Sequence, residues 1–294
     1  MKTKLTISLL TVSLGLAACN SNHANSNSSS DSSTNAATDT TSYPPVETQK
    51  ANTSYKPAFA GQTRIQGAKT STPFEGKVIA EGLKSPWGIT ALPDGRLLIS
   101  EKEGDFRIAT ADGKLSEPIK GLPQVNSSGQ GGLLGLRLDP KFESNRMIYW
   151  VFSDNTAAGT LTAVAKGKLS ADEKSIEGAK VIYQATPAHK GNLHYGGRII
   201  FDKEGNIILS TGERSDLVTR PLAQDLNAAL GKILRITTDG QPAPGNPFIG
   251  KSNVRPEIYS YGHRNPQGLA LHPETGDLWE TEFGPRGGDE LNRI

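Results

Sequence analysis

Three polar side chains adjoin one another where a strand-like run of the sequence ends. His263, Arg264 and Asn265 follow a strand-like run that stops at Gly262, and Pro266 comes directly after them. An imidazole exchanges protons near neutral pH, and a guanidinium presents a planar set of donors that suits an oxyanion. The segment therefore indicates either a ligand site at the end of a strand or a turn capped by arginine and asparagine.

A second candidate for chemistry is His194, which precedes a strand-like run and is followed closely by two glycines, Gly196 and Gly197. A histidine in this position is a candidate general base. The alternative is a loop histidine bonded to a backbone carbonyl. The sequence contains one cysteine and no HExxH pattern, which argues against a zinc site.

Two glycine-rich segments are further candidates for ligand binding. Residues 129–135 (GQGGLLG) do not fit a dinucleotide fingerprint, because the third glycine falls one place late and no βαβ pattern surrounds it. They present Gln130 as an amide contact. Residues 284–290 (GPRGGDE) offer backbone carbonyls beside Asp289 and Glu290. Oxygen ligands of this kind suit calcium, and the alternative is a plain acidic turn.

The elements that must position these side chains are short strands. From about residue 73 onward, runs of β-branched and aromatic residues are broken by Gly, Pro, Asp and Asn. A unit of strand, tight turn and strand recurs at 88–101, 197–213 and 268–282, with a looser copy at 135–152. This repeat predicts an all-β fold, a β-propeller rather than a sandwich, with about four blades in this chain. A short helix is predicted over residues 222–230.

An acidic residue ends the second strand in three copies of the repeat: Glu101, Glu213 and Glu282. Loops at one end of a propeller converge on its axis, so these acids are expected near a shared site. The alternative is that they are solvated loop carboxylates, and we prefer this interpretation for Glu101.

The beginning of the chain predicts export. Two lysines precede a short apolar run over residues 5–16, and small residues lead into Cys19. This pattern is typical of a lipoprotein signal peptide over residues 1–18, with Cys19 as the lipidated N-terminus. The alternative is an ordinary cleaved signal. Residues 19–72 are rich in Ser, Asn and Thr and predict a disordered tether, which leaves residues 73–294 as the folded domain.

The predicted location is therefore the bacterial cell envelope, in the periplasm, with lipid anchoring the chain to a membrane. The formal net charge is +2, so no strong field points to a nucleic acid or to an acidic membrane surface. We expect contact with the membrane only through the lipid.

Five motifs taken together resemble one known family. They are GQGG at 129–132, HYGGR at 194–198, AQDL at 223–226 with LGKI at 230–233, YGHRNPQG at 261–268, and GPRGGDE at 284–290. The sequence is similar to the quinoprotein aldose sugar dehydrogenases, also called glucose/sorbosone dehydrogenases, which use pyrroloquinoline quinone (PQQ). The match runs in family order from about residue 75 to the end.

The resemblance implies a six-bladed propeller that oxidises the anomeric hydroxyl of an aldose to a lactone by hydride transfer to PQQ. It implies that His194 is the base and that Arg264 lies over the reacting quinone oxygen. It also implies that Gln130 and Asn265 bind PQQ. Electrons would then pass to a membrane quinone or another acceptor.

The resemblance also implies calcium. Carbonyl groups of Gly284 and Pro285 would hold Ca²⁺ against the cofactor, and Glu290 matches a ligand of a second, structural calcium ion. Phe283 stands where the family usually has a polar glutamine or histidine, which puts one contact on the cofactor side in question.

The sequence stops at Ile294, whereas the family continues through closing blades that carry further Lys and Arg contacts to PQQ. We therefore expect a truncated member. The alternatives are an inactive propeller fragment that acts at most as a binding module, or a calcium-dependent lactonase. The combination of His194, Arg264 and Asn265 favours a redox site over a lactonase.

Overall fold

The computed structural model describes residues 43–45, 47–50, 54, 56, 66–285 and 288–294. The chain divides into two units, residues 1–75 and residues 76–294. In the first unit, Pro45 and Gln66 form an isolated antiparallel bridge. The predicted signal peptide and Cys19 lie outside the described residues, as does most of the predicted tether, and these assignments stay predictions.

The described part of the second unit forms four antiparallel sheets. The first contains β1 (Pro86–Ala91), β2 (Leu97–Glu101) and β3 (Asp105–Ala109). The second contains β4 (Leu133–Leu138), β5 (Met147–Thr156), β6 (Gly159–Leu169) and β7 (Ile176–Gln184). The third contains β8 (Ile199–Phe201), β9 (Ile207–Thr211), β10 (Lys232–Ile236) and β11 (Ile258–Tyr261). The fourth contains β12 (Pro266–Leu271), β13 (Leu278–Glu282) and β14 (Glu290–Arg293).

Each sheet is a meander whose strands pair in chain order, and the first strands of successive sheets are neighbours. β1 contacts β4, β4 contacts β8, and β8 contacts β12. Radial sheets that meet along their first strands are the blades of a propeller. The prediction of an all-β propeller with about four blades in this chain is therefore confirmed.

Tight turns and apolar layers between the sheets hold this arrangement. Gly95 and Gly276 adopt φ values of 85° and 77° at the turns between the first two strands of their blades, a backbone region that glycine enters without steric cost. Phe106 of the first sheet meets Trp150 of the second edge to face, with ring centres 5.6 Å apart. Because successive sheets share such cores, the ends of their strands are fixed relative to one another.

The helix predicted over residues 222–230 is wrong. The structure has a single 3₁₀ turn at Arg220–Ala223, and turns follow it. The Lys232 ammonium gives the physical reason, because it donates to the carbonyl oxygens of Leu222, Ala223 and Leu230 at 2.8, 2.9 and 2.7 Å. These carbonyls need no helix to satisfy them. Apart from this turn there is a short helix, α1 (Phe142–Asn145). None of the helices in the described ranges is long and apolar enough to cross a membrane.

Lys232→Met is expected to destabilise the protein by about 2 kcal/mol, because three carbonyl oxygens, two of them in buried contacts, lose a charged donor. Burial lowers the pKa of Lys232 to about 8, so the cost of burying the ammonium offsets part of what its hydrogen bonds contribute. Urea denaturation measures the difference. Lys168→Met, at an exposed position in β6, is the matched control, and equal stability of the two variants would contradict the prediction.

Candidate active site

The polar side chains of the candidate site cluster at one end of the blades. In an antiparallel pair, the start of one strand lies beside the end of its partner. Pro86 accordingly pairs with Glu101, and Pro266 pairs with Glu282. Residues just before a first strand therefore meet the acids that end the second strands.

His194 and Glu213 form a buried pair at this end. The Nδ1 atom of His194 lies 2.6 Å from Oε1 of Glu213, and the two residues are only 7% and 1% exposed. A carboxylate at this distance holds the ring proton on Nδ1 and leaves the lone pair on Nε2. Nε2 has no hydrogen-bond partner among the described residues. The imidazole is thus arranged as a proton acceptor.

Two amide side chains lie beside this pair with their orientation fixed by backbone donors. The oxygen of Gln130 accepts from the backbone N–H of His194 at 2.8 Å, and the oxygen of Asn265 accepts from Gly196 N–H at 3.0 Å. Because both oxygens face the protein, each amide leaves its NH₂ group as a donor. The predicted cofactor residues therefore present hydrogen-bond donors, which is the polarity that suits an anionic ligand.

Arg264 connects the third and fourth blades. Its carbonyl oxygen accepts from Glu213 N–H at 2.9 Å, and its own N–H donates to Oε2 of Glu282 at 2.6 Å. Its guanidinium donates to the carbonyl oxygen of Phe283 at 2.6 Å. The structure thus brings Gln130, His194, Arg264 and Asn265 into one bonded network.

Glu282 is also part of a buried cluster with His263 and Glu280. The Nδ1 atom of His263 lies 3.6 Å from Glu280 and 3.7 Å from Glu282. Burial alone would lower the pKa of His263, but the negative charges of Glu280 and Glu282 beside the ring outweigh burial and raise the pKa to about 9. The three side chains could surround a cation. However, an imidazolium between two carboxylates already accounts for the contacts without a metal.

Glu101 is not a solvated carboxylate, so our interpretation of that residue was wrong. It is 1% exposed, accepts from Lys84 N–H at 2.6 Å and lies 3.6 Å from the guanidinium of Arg107. The neighbouring strand β3 supplies this arginine, and the sequence repeat does not show that pairing. All three strand-ending acids are therefore buried.

In the segment predicted to hold calcium, the residues on either side of positions 286 and 287 are hydrogen-bonded to one another. Gly284 N–H donates to a carboxylate oxygen of Asp289 at 2.9 Å, and Pro285 O accepts from Gly288 N–H at 3.1 Å. Glu290 begins β14 opposite Glu282 and is exposed. These oxygen atoms fit a hard cation in their chemistry.

A hollow of about 650 Å³ adjoins this segment, lined in part by Glu282, Phe283, Glu290 and Arg198. The guanidinium of Arg198 lies 4.5 Å from the centre of the Trp87 ring, and burial lowers the pKa of Arg198. This arginine belongs to the HYGGR motif, but sequence analysis gave it no role. It places a positive charge in this hollow, together with the carboxylates of Glu282 and Glu290.

The glycine-rich segment 129–135 contacts protein rather than open space. Gly135 N–H donates to Gly197 O at 3.0 Å, and Leu133 N–H donates to Lys102 O at 3.0 Å. Its function is to pass closely between neighbouring blades and to present Gln130.

Fold and site together define a β-propeller protein with a buried proton acceptor and a set of donors at one end of its blades. Residues 83–294 match the family model described as Glucose / Sorbosone dehydrogenase. The chain belongs to the glucose/sorbosone dehydrogenase family.

Relatives and solved structures agree with this assignment. The chain is 41% identical over 220 residues to aldose sugar dehydrogenase YliI of Escherichia coli (strain K12), a match that covers 74% of this chain and 58% of the relative. A crystal structure of a glucose dehydrogenase superposes with a TM-score of 0.70 at 44% identity, over 73% of this chain and 62% of that one. The PQQ-bound aldose sugar dehydrogenase of Streptomyces coelicolor superposes with a TM-score of 0.65 at 37% identity, over 74% of this chain and 62% of that one.

Proposed function

We propose that this chain carries the proton-transfer and cofactor-binding part of a PQQ-dependent aldose dehydrogenase, which oxidises the anomeric hydroxyl of a sugar to a lactone. The observation that carries the proposal is the buried His194–Glu213 pair, whose unbonded Nε2 lies in one network with the donors of Gln130, Arg264 and Asn265. The PQQ-bound form of a relative supports the choice of cofactor.

The proton step follows from the histidine pair. Nε2 of His194 takes the proton of the anomeric hydroxyl, while the Nδ1–H group keeps its hydrogen bond to Glu213. The carboxylate then faces the positive charge that develops on the ring. PQQ, when bound, would supply the acceptor for the hydride of the anomeric carbon, the atom that carries this hydroxyl group.

The donor set fits this cofactor. PQQ carries carboxylate and quinone oxygens, all hydrogen-bond acceptors, and the site offers two amide NH₂ groups and the Arg264 guanidinium. Calcium would be held by carbonyl oxygens of Gly284 and Pro285 with the nearby Asp289, and would act as a Lewis acid toward cofactor oxygens. Glu290 stays the candidate ligand of a second calcium ion.

The purified chain is expected to unfold at a temperature about 5 °C or more higher when PQQ and calcium are present at saturating concentration, because ligands that bind only the folded state stabilise it. Differential scanning fluorimetry measures the shift, and EGTA should remove it. Arg264→Gln, which loses the charged donor, should shift less.

A cooperative transition that PQQ and calcium leave unchanged would contradict the proposed cofactor site. Sugar-dependent dye reduction by the loaded chain then separates dehydrogenase activity from simple binding. Lactone hydrolysis that needs calcium but no PQQ would instead favour the lactonase alternative.

A further inference from the structure

Arg214 is a buried cation without a carboxylate partner among the described side chains. It is 2% exposed, and burial lowers its pKa. Its Nε donates to Leu193 O at 3.0 Å, Nη1 to Thr160 O at 2.8 Å, and Nη2 to Thr160 Oγ1 and Gly191 O at 2.9 and 2.6 Å. A buried charge that is bonded only to neutral oxygens is costly, so these hydrogen bonds must stabilise a specific conformation.

The bonded oxygens surround the segment that presents His194. Gly191 and Leu193 lie directly before it in the chain, and Thr160 belongs to β6 of the preceding blade. The guanidinium also lies 3.9 Å from the ring centre of Tyr195, whose hydroxyl meets Thr160 Oγ1 at 2.7 Å. Arg214 therefore holds the backbone before His194 and packs on the residue after it.

The backbone in this region needs such support. His194, Arg214 and Ser215 adopt φ values of 48°, 73° and 58°, in the left-handed region that costs a non-glycine residue about 1–2 kcal/mol. Conformations of this kind persist only where surrounding contacts determine them. Arg214 directly follows Glu213, so one strand end holds both the imidazole and the loop that carries it.

We infer that Arg214 is a positioning residue for His194. Its guanidinium fixes the backbone of residues 191–193, so that the imidazole keeps the hydrogen bond from Nδ1 to Glu213 and leaves Nε2 free. The catalytic meaning of this role rests on the proposed function, whereas the effect of Arg214 on the hydrogen bond between His194 and Glu213 does not. A lysine cannot replace this arginine fully, because an ammonium lacks the planar set of five donors and the flat face that stacks on Tyr195.

Proton NMR of the full ¹⁵N-labelled chain provides the test. The Nδ1 proton of His194 on a buried carboxylate should resonate far downfield, and His194→Gln identifies the signal by its loss. We expect Arg214→Gln to lose or strongly shift this signal while the cooperative unfolding transition remains. Arg220→Gln, at an exposed arginine six residues further on, should leave the signal unchanged.

A retained and unshifted His194 signal in Arg214→Gln overturns the inference. If that variant does not fold, Arg214→Lys is read in the same way, and a partial shift is expected. When the chain is loaded with PQQ and calcium, kcat should fall about 100-fold in Arg214→Gln, with the KM for sugar within a few-fold of the parent value. If the loaded parent chain shows no turnover, the proposed function fails, but the NMR result still decides the role of Arg214.

Discussion

Glu213→Gln is expected to slow the proposed sugar oxidation by the chain loaded with PQQ and calcium about 10³-fold relative to the parent protein. In the parent protein, the carboxylate of Glu213 accepts the Nδ1 proton of His194, with 2.6 Å between Nδ1 and Oε1. A glutamine amide can instead donate to Nδ1, which places the ring proton on Nε2 and removes the lone pair that should take the substrate proton. The expected result is a loss in kcat with little change in the affinity for PQQ, measured by steady-state dye reduction and by cofactor titration.

The propeller repeat supplies a matched control for this prediction. Glu101 is the last residue of the second strand of the first blade, and Glu213 comes just after the second strand of the third blade. Both residues are 1% exposed. Glu101 contacts Lys84 N–H and Arg107 rather than a histidine. Glu101→Gln should therefore keep kcat near the parent value. Equal losses in the two variants would show that burial of an acid, and not the pair with His194, controls the rate.

The strands and the choice of candidate site residues could be argued from sequence because both depend on local pattern. The repeat of strand, tight turn and strand with glycine at the turn predicted the blades, and His194, Arg264 and Asn265 were recognisable by their position before a strand. The helix over residues 222–230 was wrong because the side chain of Lys232, further along the chain, satisfies the carbonyl groups involved.

The partners of the site residues could not be predicted because they depend on the register between strands and on contacts between blades. The recurring acid at strand ends placed Glu213 near the shared site but did not pair it with His194, which lies 19 residues away and is brought to it only by the paired strands. Arg214 resembles any charged loop residue until its four hydrogen bonds are seen. Glu280 and Glu282 do carry a signal, because alternate residues of a strand share one face, and the recurring acid at strand ends already marked Glu282.

Stability will depend on pH through His263, and the His263→Asn variant will lose most of that dependence. The groups that face this imidazole are Glu280, Glu282 and the hydroxyl of Ser260, the last at 2.9 Å from Nε2. The folded protein raises the pKa of His263 from 6.5 to about 9, against the effect of burial. Below about pH 6.5 both folded and unfolded chains hold the proton, so the stabilisation is fully present there.

As the pH rises from about 6.5 to about 9, the unfolded chain releases this proton first and the stabilisation is lost. One pKa unit corresponds to about 1.4 kcal/mol, so the loss over this range should be about 3 kcal/mol. Urea denaturation at pH 6 and pH 9.5 measures it, and His272→Asn, a histidine in a surface turn, is the control for general effects of pH.

Removal of the imidazolium leaves Glu280 and Glu282 buried without their shared cation, so His263→Asn should also be less stable by about 3 kcal/mol at pH 6. Since Glu282 accepts from the N–H groups of Arg264 and Asn265 at 2.6 and 3.1 Å, we expect the same variant to bind PQQ more weakly. A variant as stable as the parent at pH 6, with an unchanged pH profile, would show that the two carboxylates are compensated by another group, and a tightly bound metal ion between them would then be the first alternative to test.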